Sequence, residues 1–312
     1  MAASPHTVDK ADQTITVTQH APPTAESDTA FTVTGDGRGI GAAGGGGRLR
    51  ACSASGNTIT MTGGTGTCAV TFNQAGSAGY NAAAQVTETT AAQKVAQAIT
   101  VTQHSPSTAA YNTSFTVAAT GGASGQPVVV AASGACSASG NTMTMTSGTG
   151  TCTVTFNQAG NASYSAAAQV TETTAAQKAA QAITVTQHAP PTAVYNTSFT
   201  VAATGGASAQ PVTVGASGVC LAGGNTVTMT SGTGTCTVTF NQAGDANYSA
   251  AAQVTETTTA QKAAQAIAVT QHAPSTAVYS TSFTVAATGG GSGLPVTVGV
   301  SGSARPAAIR SR

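Results

Sequence analysis

The sequence predicts an all-β fold: a sandwich of about seven short strands, copied head to tail. Three observations carry this. From Gly150 to Gln158, Cys152, Val154 and Phe156 alternate with Thr151, Thr153, Thr155 and Asn157, the period-two pattern of a strand with one buried and one wet face. Nearly the same words return from Gly66 to Gly76, and the same words from Gly234 to Gly244, each offset by 84 residues. No stretch repeats apolar residues at the period of an amphipathic helix. Two half-apolar sheets bury each other's inner faces most economically as a sandwich. A closed barrel is the alternative that the pattern leaves open.

The second copy serves as the type. Ile99 and Val101 alternate with threonines up to Gln103, the first strand. Pro106 lacks an N–H and stops the ladder. Ser114–Ala119 places Phe115, Val117 and Ala119 on one face, the second strand. Thr120-Gly-Gly-Ala-Ser-Gly is turn chemistry. Pro127–Ala131 turns Val128 and Val130 inward, the third strand, with Pro at its tolerated first position. A short strand follows at Cys136, then Thr142–Thr146 with Met143 and Met145 inward. Gly150–Gln158 comes next, then a loop around Tyr164. Ala168–Thr173, with Val170 inward, is the last strand. Connections of about four to six residues imply antiparallel neighbours.

Charged residues make up 6% of the 312, the net charge is +1, and Trp is absent. With no basic field and no aromatic platform, nucleic acid is excluded as a partner. No run approaches the ~18 apolar residues of a membrane span, so no membrane insertion is expected. The N-terminal residues show no apolar core of a signal peptide. Six cysteines in equal pairs nevertheless point to an oxidising compartment. The expectation is a piece of a longer secreted protein, extracellular or at the cell surface.

Six cysteines allow 15 pairings. Translation symmetry selects Cys52–Cys68, Cys136–Cys152 and Cys220–Cys236, each clamping the start of the short strand to the opening strand across a hairpin. Redox or metal chemistry would want C-x-x-C or a Cys/His cluster, and neither occurs. His20, His104, His188 and His272 recur in Gln-His-x-Pro and read as loop histidines. Glu88, Glu172 and Glu256 read as lone carboxylates pointing outward, neither an acid–base pair nor a calcium cage. An interdomain calcium site using Asp245, Asn247 and Glu256 is the weaker alternative. Tyr80, Tyr164 and Tyr248 are expected to lay their rings over the open end of the sandwich and to bond their hydroxyls to backbone. There is no G-x-S-x-G, no P-loop and no Ser-His-Asp arrangement. Neither a catalytic residue nor a cofactor is expected.

The order SxxPVxVxxSGxC, SGNTxTMTxGTGTCTVTFNQAG and a following Tyr resembles the bacterial immunoglobulin-like (Big/MBG-type) tandem repeats of secreted and surface adhesin-like proteins. The resemblance covers nearly all of the second and third copies. It implies an Ig-like sandwich, tandem arrays and a place in adhesins or stalks. The chain departs from antibody domains: it has no Trp, and the cysteines of each pair lie only 16 positions apart, too close for their long-range inter-sheet bridge. The implied role is a non-enzymatic structural or adhesive array whose partners are neighbouring repeats of a longer chain. The alternative is a module that binds a cell-surface glycan or host protein through loops 161–165 and 245–249.

The expected domains are 13–92, 97–176, 181–260 and a truncated 265–312. The first is disrupted at 35–50, where Asp36-Gly-Arg-Gly-Ile-Gly-Ala-Ala-Gly-Gly-Gly-Gly-Arg-Leu-Arg50 replaces the third-strand text without a change of length. Read one base later, that stretch can encode the missing text. Ser303–Arg312, read two bases later, can encode the Cys-Ser-Ala-Ser-Gly-Asn segment due there. Shifts of reading frame are therefore expected. The first repeat should lose a strand and uncover the surroundings of Phe31 and Val33. The fourth should keep strands one to three only.

Overall fold

A computed structural model describes residues 9–36, 39–44 and 51–302, with 39–44 described for the main chain alone. Among the described residues there is no helix, so none is long and apolar enough to cross a membrane. Strands recur at the 84-residue spacing in the first three repeats. The chain divides into two compact units, Met1–Ala179 with Ala246–Tyr248, and Ala180–Asp245 with Ser249–Arg312.

In the second repeat one sheet has four strands in the order Thr108–Ala110, Val170–Gln177, Thr151–Gln158, Val128–Gly134. The other has three: Ser114–Thr116, Thr142–Met145, Cys136–Ser139. A two-stranded ribbon joins Thr100–Gln103 to Ala118–Thr120. The two sheets face each other across an apolar core. Met143 and Met145 come from one, Cys152, Val154 and Phe156 from the other, all at most 1% exposed. Val201, Val227, Met229, Val238 and Phe240 repeat this core in the third repeat. The fold is an all-β tandem array of Ig-like sandwiches.

The chain changes sheets where the sequence allows a sharp bend. Gly134 ends one strand at φ +80°, Ala135 follows, and Cys136 opens a strand of the facing sheet. A Cβ on Gly134 would lie 2.2 Å from the Thr151 carbonyl oxygen, so both conformation and space demand glycine. Asn112 takes the left-handed region at φ +61°, which Asn tolerates better than most residues. It turns the chain from Thr108–Ala110 into Ser114–Thr116.

Four expectations need correction here. First, Thr108–Ala110 is a strand that the Pro-containing text hid, and it runs parallel to Val170–Gln177, pairing Thr108 with Ala175. Its Ser-Pro-Ser approach carries no alternation, so pattern cannot find it. Second, the expected second strand breaks at Val117, and its halves join different sheets. Third, Gly39–Gly44 supplies an edge strand in the first repeat, pairing Ile40 with Phe72 and Gly44 with Cys68. A ladder bonds main chain to main chain, so extended backbone satisfies it whatever the side chains. The substitute sits six residues earlier than the period predicts, and Val33 stays fully buried. The glycine run continues into 45–47, outside the described residues. Fourth, the third strand of the last repeat does not form. Among the described residues there, only Ala268–Gln271 and Ala286–Thr288 pair as strands, because none of them supplies the ladder partner that this segment has in the second and third repeats.

Candidate functional site

The structure brings together side chains that sequence spacing kept apart. The His104 Nδ1–H donates to Glu172 Oε1 at 2.5 Å, and the Ser105 N–H donates to Oε2 at 2.8 Å. His188 and Ala189 hold Glu256 in the same way at 2.5 and 2.7 Å. His20 and Ala21 hold Glu88 likewise. Each glutamate sits on the last strand, and each histidine on the loop that the proline ends. The glutamates are therefore not lone outward carboxylates. The separation of 68 residues within each repeat explains why the sequence could not reveal the pair.

Partial burial pushes the Glu172 carboxyl up. The Ser105 N–H, the His104 hydrogen bond and the imidazole's charge together outweigh it, and the net pKa lies below the ordinary value. Glu88 and Glu256 behave alike, against Ala21 and His20 and against Ala189 and His188. The Glu172 side chain is 18% exposed and His104 70%. All six cysteine sulfurs are committed to disulfides. The arrangement pins a loop to a strand; Thr174 Oγ1 adds a bond to the Pro106 carbonyl at 2.7 Å.

The disulfides join Cys52 to Cys68, Cys136 to Cys152 and Cys220 to Cys236. Each pair of sulfurs spans the two sheets instead of one hairpin, because the chain crosses from sheet to sheet at Gly134–Cys136. Among the described residues no group of three or more His, Cys, Asp or Glu could hold a metal ion. Asp245 and Glu256 belong to no such group.

A second cluster is built on the glutamine that opens each repeat. The Gln97 Nε2 donates to the carbonyls of Ser165 at 2.7 Å and Ala159 at 3.2 Å, and its Oε1 accepts the Ser124 N–H at 3.0 Å. Gln181 does the same with Ser249, Ala243 and Ser208. Gln158, 3% exposed, binds Gly122 and Gln126 main chain. Its parity with Phe156 was legible, but a buried glutamine was not.

Loops 161–165 and 245–249 also have structural roles. Asn161 Oδ1 accepts the N–H groups of Ser163 and Tyr164, both at 2.9 Å. Within the first unit, the Gly64 N–H donates to the Ala162 carbonyl at 3.1 Å, and the Gly148 N–H to Asn247 Oδ1 at 2.9 Å. Tyr164 is tied through its main chain, bridged to Val95. Tyr248 meets Tyr111 edge to face at 5.4 Å. Tyr164 thus has a main-chain partner and Tyr248 a ring partner. An open depression of about 450 Å³ lies beside the His20 clamp, lined by Gln19, Pro22, Phe31, Thr32 and Thr58 among others. Nothing in the sequence marked it.

No protein-family profile matches this chain, and no curated protein matches it. Similar solved structures include the first four extracellular domains of Drosophila N-cadherin, at 10% identity over 83% of this chain and 76% of that one, with a TM-score of 0.25. Domains one to three of mouse protocadherin-24 align at 10% identity over 72% and 90%, with a TM-score of 0.28. The fibronectin(III)-like modules of Clostridium thermocellum CbhA align at 13% over 53% and 94%, with a TM-score of 0.23.

Proposed function

We propose that the chain is a non-enzymatic structural or adhesive array from a bacterial extracellular or surface protein. The supporting observation is repetition of the fastenings. The same inter-sheet disulfide and the same His–Glu pin recur in the first three repeats. A catalytic or ligand site is ordinarily built once from converging groups; here the recurring chemistry secures strands and loops. The array works by holding its shape under load and carrying something else outward.

A second reading, a module that takes a surface glycan, has the depression at Gln19, His20 and Phe31 in its favour, with a ring beside polar groups. A glycan array probed with the full chain, its Phe31→Ala variant and a chain with 161–165 and 245–249 replaced by glycine-serine text separates the two readings. The structural reading expects no glycan above background for any of them. A glycan held by the full chain and lost from either altered chain overturns it.

A further inference from the structure

We propose that Pro295–Gly302 is a donor strand for the first repeat of a second copy of this chain. It pairs antiparallel with Cys68–Gln74 in place of Gly39–Gly44. Three observations converge on this pairing, and none depends on the proposed role of the array.

The donor is a strand sequence without a strand. Val296-Thr-Val-Gly-Val-Ser-Gly302 differs from Val212–Gly218 only at Val300, which stands where the third repeat has Ala216. In the third repeat those seven residues all pair with the strand Thr235–Gln242. In the fourth the same text forms no strand, and Leu294 and Val300 are 73% and 47% exposed. Backbone of high β-propensity with unpaired N–H and C=O groups is a template for another chain's edge.

The acceptor matches by sequence. In the second and third repeats the partner strand reads Thr-Cys-Thr-Val-Thr-Phe-Asn-Gln; the first repeat reads Thr67-Cys-Ala-Val-Thr-Phe-Asn-Gln74. Transferring the register of the complete repeats places Val298 opposite Phe72, Val300 opposite Val70 and Gly302 opposite Cys68.

The strand now on that edge is the weaker competitor. Gly39-Ile-Gly-Ala-Ala-Gly44 holds three glycines and one β-branched residue, and pairs over six positions. Glycine weakens a strand interior through entropy and lack of packing. The donor brings Val296, Thr297, Val298 and Val300 and adds a seventh pair, Val296 with Gln74. Addition of a foreign strand to a sheet edge is a general mode of recognition. Donor and acceptor lie on different repeats, so each joint leaves a free donor and a free acceptor, the condition for heterologous association.

The test uses the full chain. Light scattering across a concentration series should show the weight-average mass rising above the 30.0 kDa of one chain. Hydrogen exchange should show protection gained together in 68–74 and 295–302 as mass rises. Val298→Asp/Val300→Asp should keep the chain monomeric and leave exchange in the second and third repeats unchanged. A synthetic peptide of residues 294–302 should dissociate the wild-type assemblies. A chain that stays monomeric throughout, a variant that assembles as well as wild type, or protection gained elsewhere than these two segments overturns the proposal.

Discussion

Replacing the second disulfide with a Cys136→Ala/Cys152→Ala pair isolates the main fastening of one repeat. Cys152 is fully buried and Cys136 is 6% exposed, so alanine leaves two small gaps and no unpaired polar group. The bond closes a loop over a sequence separation of 16. The chain-entropy relation then gives about 3 kcal/mol of stabilisation through the unfolded state. For a domain of this size a kilocalorie moves the midpoint by roughly 4–8 °C, so the expected fall is roughly 12–24 °C. Calorimetry under oxidising conditions reads it, with hydrogen exchange in Thr151–Gln158 and Thr235–Gln242 assigning the shift to a repeat. The second repeat should move and the third should not. A variant melting within about 3 °C of wild type refutes the view that the inter-sheet bond carries the repeat's stability.

Other consequences are equally concrete. Glu172→Gln should cost about 1.5–3 kcal/mol, since a partly buried carboxylate accepting a main-chain N–H is lost. His104→Ala should cost at most about 1 kcal/mol, since the imidazole is largely exposed; chemical denaturation compares the two. The Glu172 pKa is lowered in the folded state. Its contribution is therefore complete above the unfolded value of about 4.3 and fades as pH falls through the lower folded one. Denaturation midpoints measured from pH 6 to pH 2 should drop in that window, and Glu172→Gln should flatten the drop. Gly134→Ala should destabilise by more than about 1 kcal/mol, because φ +80° and the Thr151 oxygen 2.2 Å from the new Cβ both oppose it. Phe156→Ala, at a fully buried core position, should cost about 3–5 kcal/mol by thermal melting.

The layers of the sandwich were legible wherever burial follows parity. Cys152, Val154 and Phe156 lie fully buried on one face, and Met143 with Met145 opposite them, as period two requires. What escaped was long-range or sequence-blind. The parallel pairing of Thr108–Ala110 has no alternation to announce it. The pairing of His104 with Glu172 depends on which loop the fold lays over which strand. The edge strand at Gly39–Gly44 comes from glycine-rich text because a ladder is made by main chain. The glutamine hub at Gln97 was visible only as the first letter of a period. Its use, tying three loop groups to one amide, follows from geometry that spacing does not encode.

The most direct test of a mechanical array fastened across its sheets is to pull the chain from both ends in a single-molecule force experiment. With disulfides intact, each unfolding step from the first three repeats should release chain shortened by the 16 residue spacings that the bond spans. Reductant should lengthen each step from the first three repeats by about 50 Å, from 16 spacings at ~3.3–3.6 Å each less the roughly 5 Å between the bonded Cα atoms. Steps of unchanged length after reduction, or extension without discrete steps, would contradict the account.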